Sequence, residues 1–243
     1  MASKNQLKLI RALGQKKFRK QYGQYLVQGE KNVLELLSAG GKVDALFATP
    51  QFIEQYKELF SHFDVIETND EQLSKASTLV SNNAAVAIVP MPEDQPIDAS
   101  KWVLALDGVS DPGNLGTIIR VADWYGFKQV VLSESCADQY NPKVISATMG
   151  SFVRVHAVRT SLCGFLKNYN GPIYGAFLAG ENVHKTPFGD QGVLVMGSES
   201  HGISEEIGQY ITHKVTIPAF GAAESLNVAM ATGIIVDNIK RHS

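Results

Sequence analysis

The chain has 243 residues, of which 44% are hydrophobic and 19% charged, and its net charge is −2. This composition is typical of a globular protein and excludes collagen-like, coiled-coil and membrane proteins, because no stretch approaches the roughly 20 apolar residues of a membrane span. Two cysteines are too few for a disulfide framework or a cysteine-rich zinc site. The basic N-terminus lacks the apolar run of a secretory signal, so we expect a cytoplasmic protein with no membrane contact.

Basic charge is concentrated at the N-terminus. Residues 1–20 contain seven basic and no acidic side chains, whereas residues 21–99 contain four basic and twelve acidic ones. The seven are Lys4, Lys8, Arg11, Lys16, Lys17, Arg19 and Lys20. Such a basic arm is either a contact for the phosphate backbone of a nucleic acid or a solvated helix with a positive face, and the charge count does not decide between them.

The first part of the chain alternates between strand and helix patterns. Apolar runs predict strands, and amphipathic periodicity between them predicts helices. The predicted strands are 25–27, 43–48, 63–67 and 84–89, and the predicted helices are 30–39, 50–60 and 70–76. We therefore predict a small α/β domain over residues 1–90, followed by an acidic, proline-containing linker over residues 91–100.

A second α/β domain is predicted over residues 101–243. Apolar runs typical of buried parallel strands alternate with helical patterns, and the chain closes with a helix over 226–241. The predicted strands are 102–107, 130–132, 153–158, 173–178, 193–196 and 214–217. A doubly wound sheet binds ligands where its strands end and helices begin, and three such turns carry polar residues and glycines.

The first turn follows the strand that ends at Asp107. A Gly/Pro loop leads into a helix expected to begin near Asn114, and Arg120 lies off the buried stripe, one turn after Gly116. One interpretation is an Asn and an Arg presented to a phosphate group, with Gly116 leaving a gap for the ligand. The other is Asn114 as an N-cap and Arg120 in a surface pair with Asp123.

The second and third turns follow the strands at 193–196 and 214–217. In the second, Glu199 lies in a bend between Gly197 and Gly202, and Ser204 is the expected N-cap of a short helix. The alternative, a hydrolase nucleophile elbow centred on Ser200, is disfavoured because the first glycine of G-x-S-x-G is missing. In the third, a loop of small residues leads to Ser225, the expected N-cap of the last helix, and its backbone groups could hold an adenine or a carboxylate.

No other motif supports a competing chemistry. The chain has no G-x-G-x-x-G after a strand, no Walker loop, no H-E-x-x-H and no C-x-x-C. Its six histidines are scattered without metal-ligand spacing, so we predict no metal site.

Together the three turns resemble the signature of the SpoU (TrmH-like) family of RNA 2′-O-ribose methyltransferases, of the SPOUT class. N-x-G-x-x-x-R matches Asn114 to Arg120, and G-x-E-x-x-G matches Gly197 to Gly202. I-P with a following S-L-N matches Ile217-Pro218 and Ser225-Leu226-Asn227. The match extends over residues 102–241, and residues 1–90 more loosely resemble the family's RNA-binding domain.

The resemblance implies a C-terminal domain with a trefoil knot, a homodimer, and an RNA substrate that is ribosomal or transfer RNA. It implies S-adenosylmethionine bound in the knot by groups at Gly197, Gly202, Ile217 and Leu226. It assigns Arg120 to the ribose 2′-hydroxyl. Because an arginine is effectively always protonated, we expect Arg120 to bind the adjacent phosphate and stabilise the alkoxide rather than to act as a base.

The same resemblance assigns four further side chains to the catalytic set around Arg120, where they would orient it, the ribose and the surroundings of the cofactor: Asn114, Glu199, Ser225 and Asn227. A non-catalytic RNA-binding protein that keeps the fold is the main alternative function. Loss of the Arg, Glu or Asn would favour that alternative, and all three are present.

Overall fold

The computed structural model describes residues 1–93 and 95–241. The chain divides into two compact units, an N-terminal unit of Met1–Glu93 with Asp138–Val153, and a C-terminal unit of Asp94–Ala137 with Arg154–Ser243. Within the described ranges, no helix is long and apolar enough to cross a membrane.

The helices and strands alternate along most of the chain. The helices are α1 (Lys4–Leu13), α2 (Lys16–Tyr22), α3 (Glu30–Ser38), α4 (Pro50–Gln55), α5 (Lys57–Phe60), α6 (Asp70–Ala76), α7 (Pro112–Trp124), α8 (Pro142–Ala147), α9 (Leu162–Lys167), α10 (Glu205–Gly208) and α11 (Val228–Arg241). The strands are β1 (Gln24–Gln28), β2 (Ala45–Ala48), β3 (Val65–Glu67), β4 (Ala85–Pro90), β5 (Val103–Leu106), β6 (Gln129–Leu132), β7 (His156–Arg159), β8 (Ile173–Asn182), β9 (Val193–Met196) and β10 (His213–Thr216).

The N-terminal unit is built on a four-stranded sheet in the order β1-β4-β2-β3. Strand β4 is antiparallel to both of its neighbours, and β2 and β3 are parallel. The helix predicted over 50–60 is divided at Tyr56, whose φ of −121° and ψ of 37° leave the helical region. Its ring packs on Phe52 with centroids 5.0 Å apart and its hydroxyl donates to Glu30, so side-chain contacts override the helical pattern there.

A segment distant in sequence completes this unit. Residues 138–153 lie between β6 and β7 in the chain, within the range predicted as the second domain, yet they pack with the N-terminal sheet. Ile145 of α8 is buried in its core, and Tyr140 packs on Tyr25 with ring centroids 4.9 Å apart. The N-terminal unit therefore needs this later part of the chain to close its core.

Arg19 is the exception in the basic arm. It is only 2% exposed, its guanidinium donates to the carbonyl oxygens of Leu13 and Gly14, and its Nη2 lies 2.6 Å from a carboxylate oxygen of Asp138. The expectation of seven available charges is corrected to six, because Arg19 fastens α2 to the later segment. The exposed ones are Lys4, Lys8, Arg11, Lys16, Lys17 and Lys20.

The C-terminal unit confirms the predicted doubly wound α/β fold. Its six strands are parallel, in the order β10-β8-β9-β5-β6-β7. The central strands β5 and β9 are buried at all four residues, as their unbroken apolar runs predict. Because these two strands are parallel neighbours, the loops that follow them leave the same edge of the sheet.

Candidate active site

The helix of the first turn begins earlier than expected. Helix α7 starts at Pro112, and the side chain of Asp111 accepts from the backbone N–H of Asn114, so Asp111 rather than Asn114 is the N-cap. A proline at the first helical position needs no hydrogen-bond partner for its nitrogen. The consequence is that the Asn114 side chain is not consumed by capping and can contact other loops.

Asn114 joins the three turns through two hydrogen bonds. Its side-chain nitrogen donates to a carboxylate oxygen of Glu199 at 2.5 Å, and its side-chain oxygen accepts from the amide nitrogen of Asn227 at 2.9 Å. We call the set of Asn114, Glu199 and Asn227 the amide relay. The structure therefore brings together three of the five side chains that the sequence assigned to catalysis.

The relay has a fixed direction because Asn227 caps the last helix. Helix α11 begins at Val228, and the side-chain oxygen of Asn227 accepts from the N–H groups of Ala229 and Met230. Its nitrogen is thus left to donate to Asn114, whose own nitrogen must then face the carboxylate of Glu199. The helix end orients both amides.

Ser225 is not the N-cap that the sequence predicted. Helix α11 begins at Val228 instead of at residue 226, and Asn227 occupies the capping site. Ser225 is exposed, and its hydroxyl makes no hydrogen bond within residues 1–93 and 95–241. Its assignment to the site stays a prediction from the resemblance.

The loop after β9 is closed on itself. The backbone of Ser198 exchanges two hydrogen bonds of 2.9 Å with that of Gly202, and a Cβ atom at Gly197 would lie 2.0 Å from the carbonyl carbon of Gly202. Only glycine fits at position 197. Gly202 adopts a φ of 69°, in the left-handed region that glycine enters without strain.

Asp107 is a positioning residue that the sequence did not single out. It is 9% exposed at the end of β5, and its carboxylate accepts from the backbone N–H of Ser204 at 2.8 Å. Ser204 in turn caps α10 through Ile207, as predicted. Asp107 thus fixes the far end of the loop that carries Glu199; an acidic residue directly after a buried strand was the available signal.

The third turn presents unpaired backbone. In the described structure, the backbone groups of residues 218–226 make no backbone hydrogen bonds, and the loop is exposed, with Phe220 97% and Leu226 51% exposed. Because polar backbone groups and apolar side chains face solvent together, this loop has the donors, acceptors and apolar surface that a nucleoside requires. Gly197, Gly202, Ile217 and Leu226 remain predicted cofactor contacts.

Arg120 is exposed and is not joined to the amide relay. It makes no ion pair or hydrogen bond with any residue that the structure describes. The surface pair with Asp123 is not formed, because Asp123 binds Arg154, whose Nη2 lies 2.8 Å from it. The expected gap at Gly116 is also corrected, since Gly116 is buried.

Nucleophilic hydrolysis finds no support in the geometry. The Ser200 hydroxyl and His201 Nδ1 are 2.8 Å apart, but in the described ranges no carboxylate binds the histidine to orient it as a base. The hydrogen bond to Glu206 and burial raise the pKa of the Cys163 thiol to about 11, so it is not a thiolate nucleophile. The described residues contain no group of three or more potential metal ligands.

The fold and the three joined turns define the class of protein as a SPOUT-type methyltransferase with an added N-terminal unit. The chain belongs to the SpoU rRNA Methylase family, whose model matches residues 101–237. Residues 4–87 match the model of the MRM3-like substrate binding domain. The resemblance inferred from the motifs is thereby confirmed, and membership of the family implies the trefoil knot.

Relatives match along the whole chain. The chain is 31% identical over 98% of its length and 98% of the relative's length to the 23S rRNA (guanosine(2553)-2′-O)-methyltransferase RlmP of Bacillus subtilis. Among solved structures, a putative RNA methyltransferase of the TrmH family from Porphyromonas gingivalis is 34% identical, with a TM-score of 0.89 and full coverage of both chains. An AdoMet-bound rRNA methyltransferase from Sinorhizobium meliloti is 31% identical, with a TM-score of 0.87 and coverage of 100% of this chain and 97% of that one.

Proposed function

We propose that this protein, an S-adenosylmethionine-dependent RNA 2′-O-ribose methyltransferase, methylates a guanosine of large-subunit ribosomal RNA. The observation that supports the methyltransferase activity is the amide relay, which joins the residues of all three family motifs. Ribosomal RNA is favoured over transfer RNA because the Bacillus subtilis relative that matches nearly the whole chain, N-terminal unit included, carries an rRNA name. The same name supports guanosine as the nucleoside. We place the reaction in the cytoplasm.

The residues present fit the cofactor. The exposed loop over 218–226 offers free backbone donors and acceptors beside apolar side chains, and Asn114 links the end of this loop to the closed loop after β9. Ile217, Leu226, Gly197 and Gly202 would hold the adenosine and the amino-acid portion through their backbone groups. S-adenosylmethionine supplies a methyl group activated by a sulfonium charge.

The chain's own residues then act on the ribose. A neutral 2′-hydroxyl is a weak nucleophile, and negative charge develops on its oxygen as the methyl group is transferred. Arg120 carries a positive charge with no partner among the described residues, so it can bind the neighbouring phosphate and stabilise that oxygen. The relay holds the Glu199 carboxylate and the Asn114 amide in a set geometry, so these two groups need no reorganisation during the reaction.

The activity is tested with unmodified RNA. Purified protein with tritiated S-adenosylmethionine is expected to label 23S rRNA transcribed in vitro, at guanosine 2′-oxygens, with a chelator present throughout. Mapping of 2′-O-methyl positions gives the nucleotide. No transfer to rRNA, or label on a base rather than on ribose, would contradict the proposal, and transfer only to tRNA transcripts would overturn the choice of substrate.

The basic arm is proposed to hold the RNA by binding its phosphates. Changing Lys16, Lys17 and Lys20 to glutamine should weaken binding and lower the salt dependence, by up to about 0.7 in logarithmic slope for each phosphate of a single strand that is no longer neutralised. Arg19 is left unchanged because it is buried. Filter binding over a salt series measures the effect.

The matched control neutralises other exposed lysines of the same unit. Lys57 and Lys75 lie beside Glu54 and Glu71, so they are compensated charges. Changing these two to glutamine should leave the salt slope unaltered. Equal slopes for wild type and the arm variant would assign the arm to a solvated helix.

A homodimer is proposed through the face formed by α7 and α11, which pack on each other. On these two helices Trp124 is 84% and Met230 64% exposed, and a groove of about 560 Å³ is lined by residues of both, Val121, Met230 and Ile234 among them. Exposed apolar surface of this kind is removed from water by a second copy. Sedimentation velocity should give a dimer, and Trp124→Glu should give monomers; a monomeric wild-type protein contradicts this.

A further inference from the structure

Two aromatic rings lie side by side on α2, in the basic arm. Phe18 and Tyr22 are one helical turn apart, with ring centroids separated by 6.4 Å and planes inclined by only 20°. Tyr22 is 49% exposed. Several large apolar side chains of the N-terminal unit are exposed to solvent, and among those described Tyr22 is the one with an aromatic ring. We call this pair the ring platform.

The fold does not explain the ring of Tyr22. Helix α2 is fastened to its unit by Arg19, the residue that it buries. Within the described ranges the Tyr22 hydroxyl makes no hydrogen bond, and its ring contacts Phe18 alone among aromatic side chains. A single exposed apolar side chain needs no functional account, but here a second, nearly parallel ring lies beside it on the same helix.

The surroundings of the platform are positively charged. Lys16, Lys17 and Lys20 belong to the same helix and are exposed, and the ammonium of Lys17 lies 5.8 Å from the centre of the Phe18 ring. The first 20 residues contain no acidic side chain. An apolar peptide gains nothing from these charges, whereas a nucleotide offers both a flat base and a negative phosphate.

We propose that the ring platform stacks an unpaired base of the RNA substrate while the neighbouring lysines bind the phosphates on either side of it. The inference rests on the proposed function, because it names a contact made by the RNA of that reaction. Every base has an aromatic face, so such stacking tolerates any sequence and adds affinity without reading the base edge. It differs from the phosphate contacts of the arm in being insensitive to salt.

The test measures binding of the full-length chain to a labelled single-stranded oligoadenylate by fluorescence anisotropy. Tyr22→Leu keeps apolar bulk but removes the aromatic face, and it should weaken binding about 5- to 100-fold with the salt slope unchanged, whereas Tyr22→Phe should stay close to wild type. A ribose-phosphate oligomer of the same length without bases is the matched probe. Wild type and Tyr22→Leu should bind it equally.

Any other result of this binding test would contradict the proposal that the ring platform stacks a base. Tyr22→Leu with wild-type affinity for the oligoadenylate, or with equal losses on both oligomers, shows that no base stacks there. A change in sedimentation without a change in binding assigns the rings to a contact between copies. Thermal unfolding verifies that the variants are folded. Methyl transfer by wild type to rRNA is measured in parallel, so a failure of the platform is separable from a failure of the proposed function.

Discussion

Replacing Arg120 by lysine or alanine is expected to lower the rate of methyl transfer by about 10²–10³-fold, the range measured when one group that stabilises a developing oxyanion is removed. Lysine keeps the charge but loses the planar fork that grips phosphate oxygens at two points, so it should not restore activity. Cofactor binding should persist in both variants, because the proposed cofactor contacts lie in the loops after β9 and β10. Single-turnover methylation and calorimetry with S-adenosylmethionine measure the two effects separately.

The control for Arg120 is another exposed base of the C-terminal unit, Lys128, which is placed in no site. Lys128→Ala should retain wild-type turnover and the same unfolding temperature. Because Arg120 has no ion pair among the described residues, its removal should also leave stability unaltered. Near-normal turnover in Arg120→Ala would remove the catalytic assignment of Arg120.

The variant Asn227→Asp is expected to remove the contribution of Asn227 to the relay while it keeps its contribution as the helix cap. Aspartate caps helices as well as asparagine does and is favoured by the dipole at the start of α11, so stability should be kept. It cannot donate to Asn114, whose oxygen would then face a carboxylate instead of an amide nitrogen. Because this hydrogen bond is exposed to solvent, its loss is worth about 0.5–1.5 kcal/mol, so turnover should fall roughly 2- to 13-fold.

Asn227→Ala is the companion variant, because it removes the cap and the donor together. Its turnover should fall, and its free energy of unfolding should fall by the ~1 kcal/mol that a cap contributes, so it should also unfold at a lower temperature. Comparing single-turnover rates with thermal unfolding for the two variants distinguishes relay from cap. If Asn227→Asp turned over as fast as wild type, the relay would be a packing contact without influence on the reaction.

Much of the second domain was predictable because its signals are local. The unbroken apolar runs of β5 and β9 reflect burial on both faces of a parallel sheet, and a strand followed by a turn with glycines marks where its loops gather. Glu199 was identified in this way, from the bend of its own turn. Asn227, and the proximity of both residues to Asn114, were expected only from the family resemblance.

The helix starts were less predictable, since several polar residues near each turn can serve as the cap. Asp111, rather than Asn114, caps α7, and Asn227, rather than Ser225, caps α11. Each cap differs from the expected one by only two or three positions. The cap at Asp111 leaves the Asn114 side chain free for the relay, and the cap at Asn227 fixes the direction of the Asn227 amide.

The sequence by itself determined that the chain forms α/β structure with a parallel sheet in its second part, and it located the three turns that carry the family's motifs, because periodicity and turn chemistry act between residues near one another in the chain. It did not show that residues 138–153 belong to the N-terminal unit. Only the tertiary structure decided which polar groups meet. Asn114 pairs with residues 85 and 113 positions away, and Arg19 pairs with Asp138, 119 positions away. No local pattern encodes such partners, since a buried charge and an exposed one have the same sequence signature until the chain packs around them.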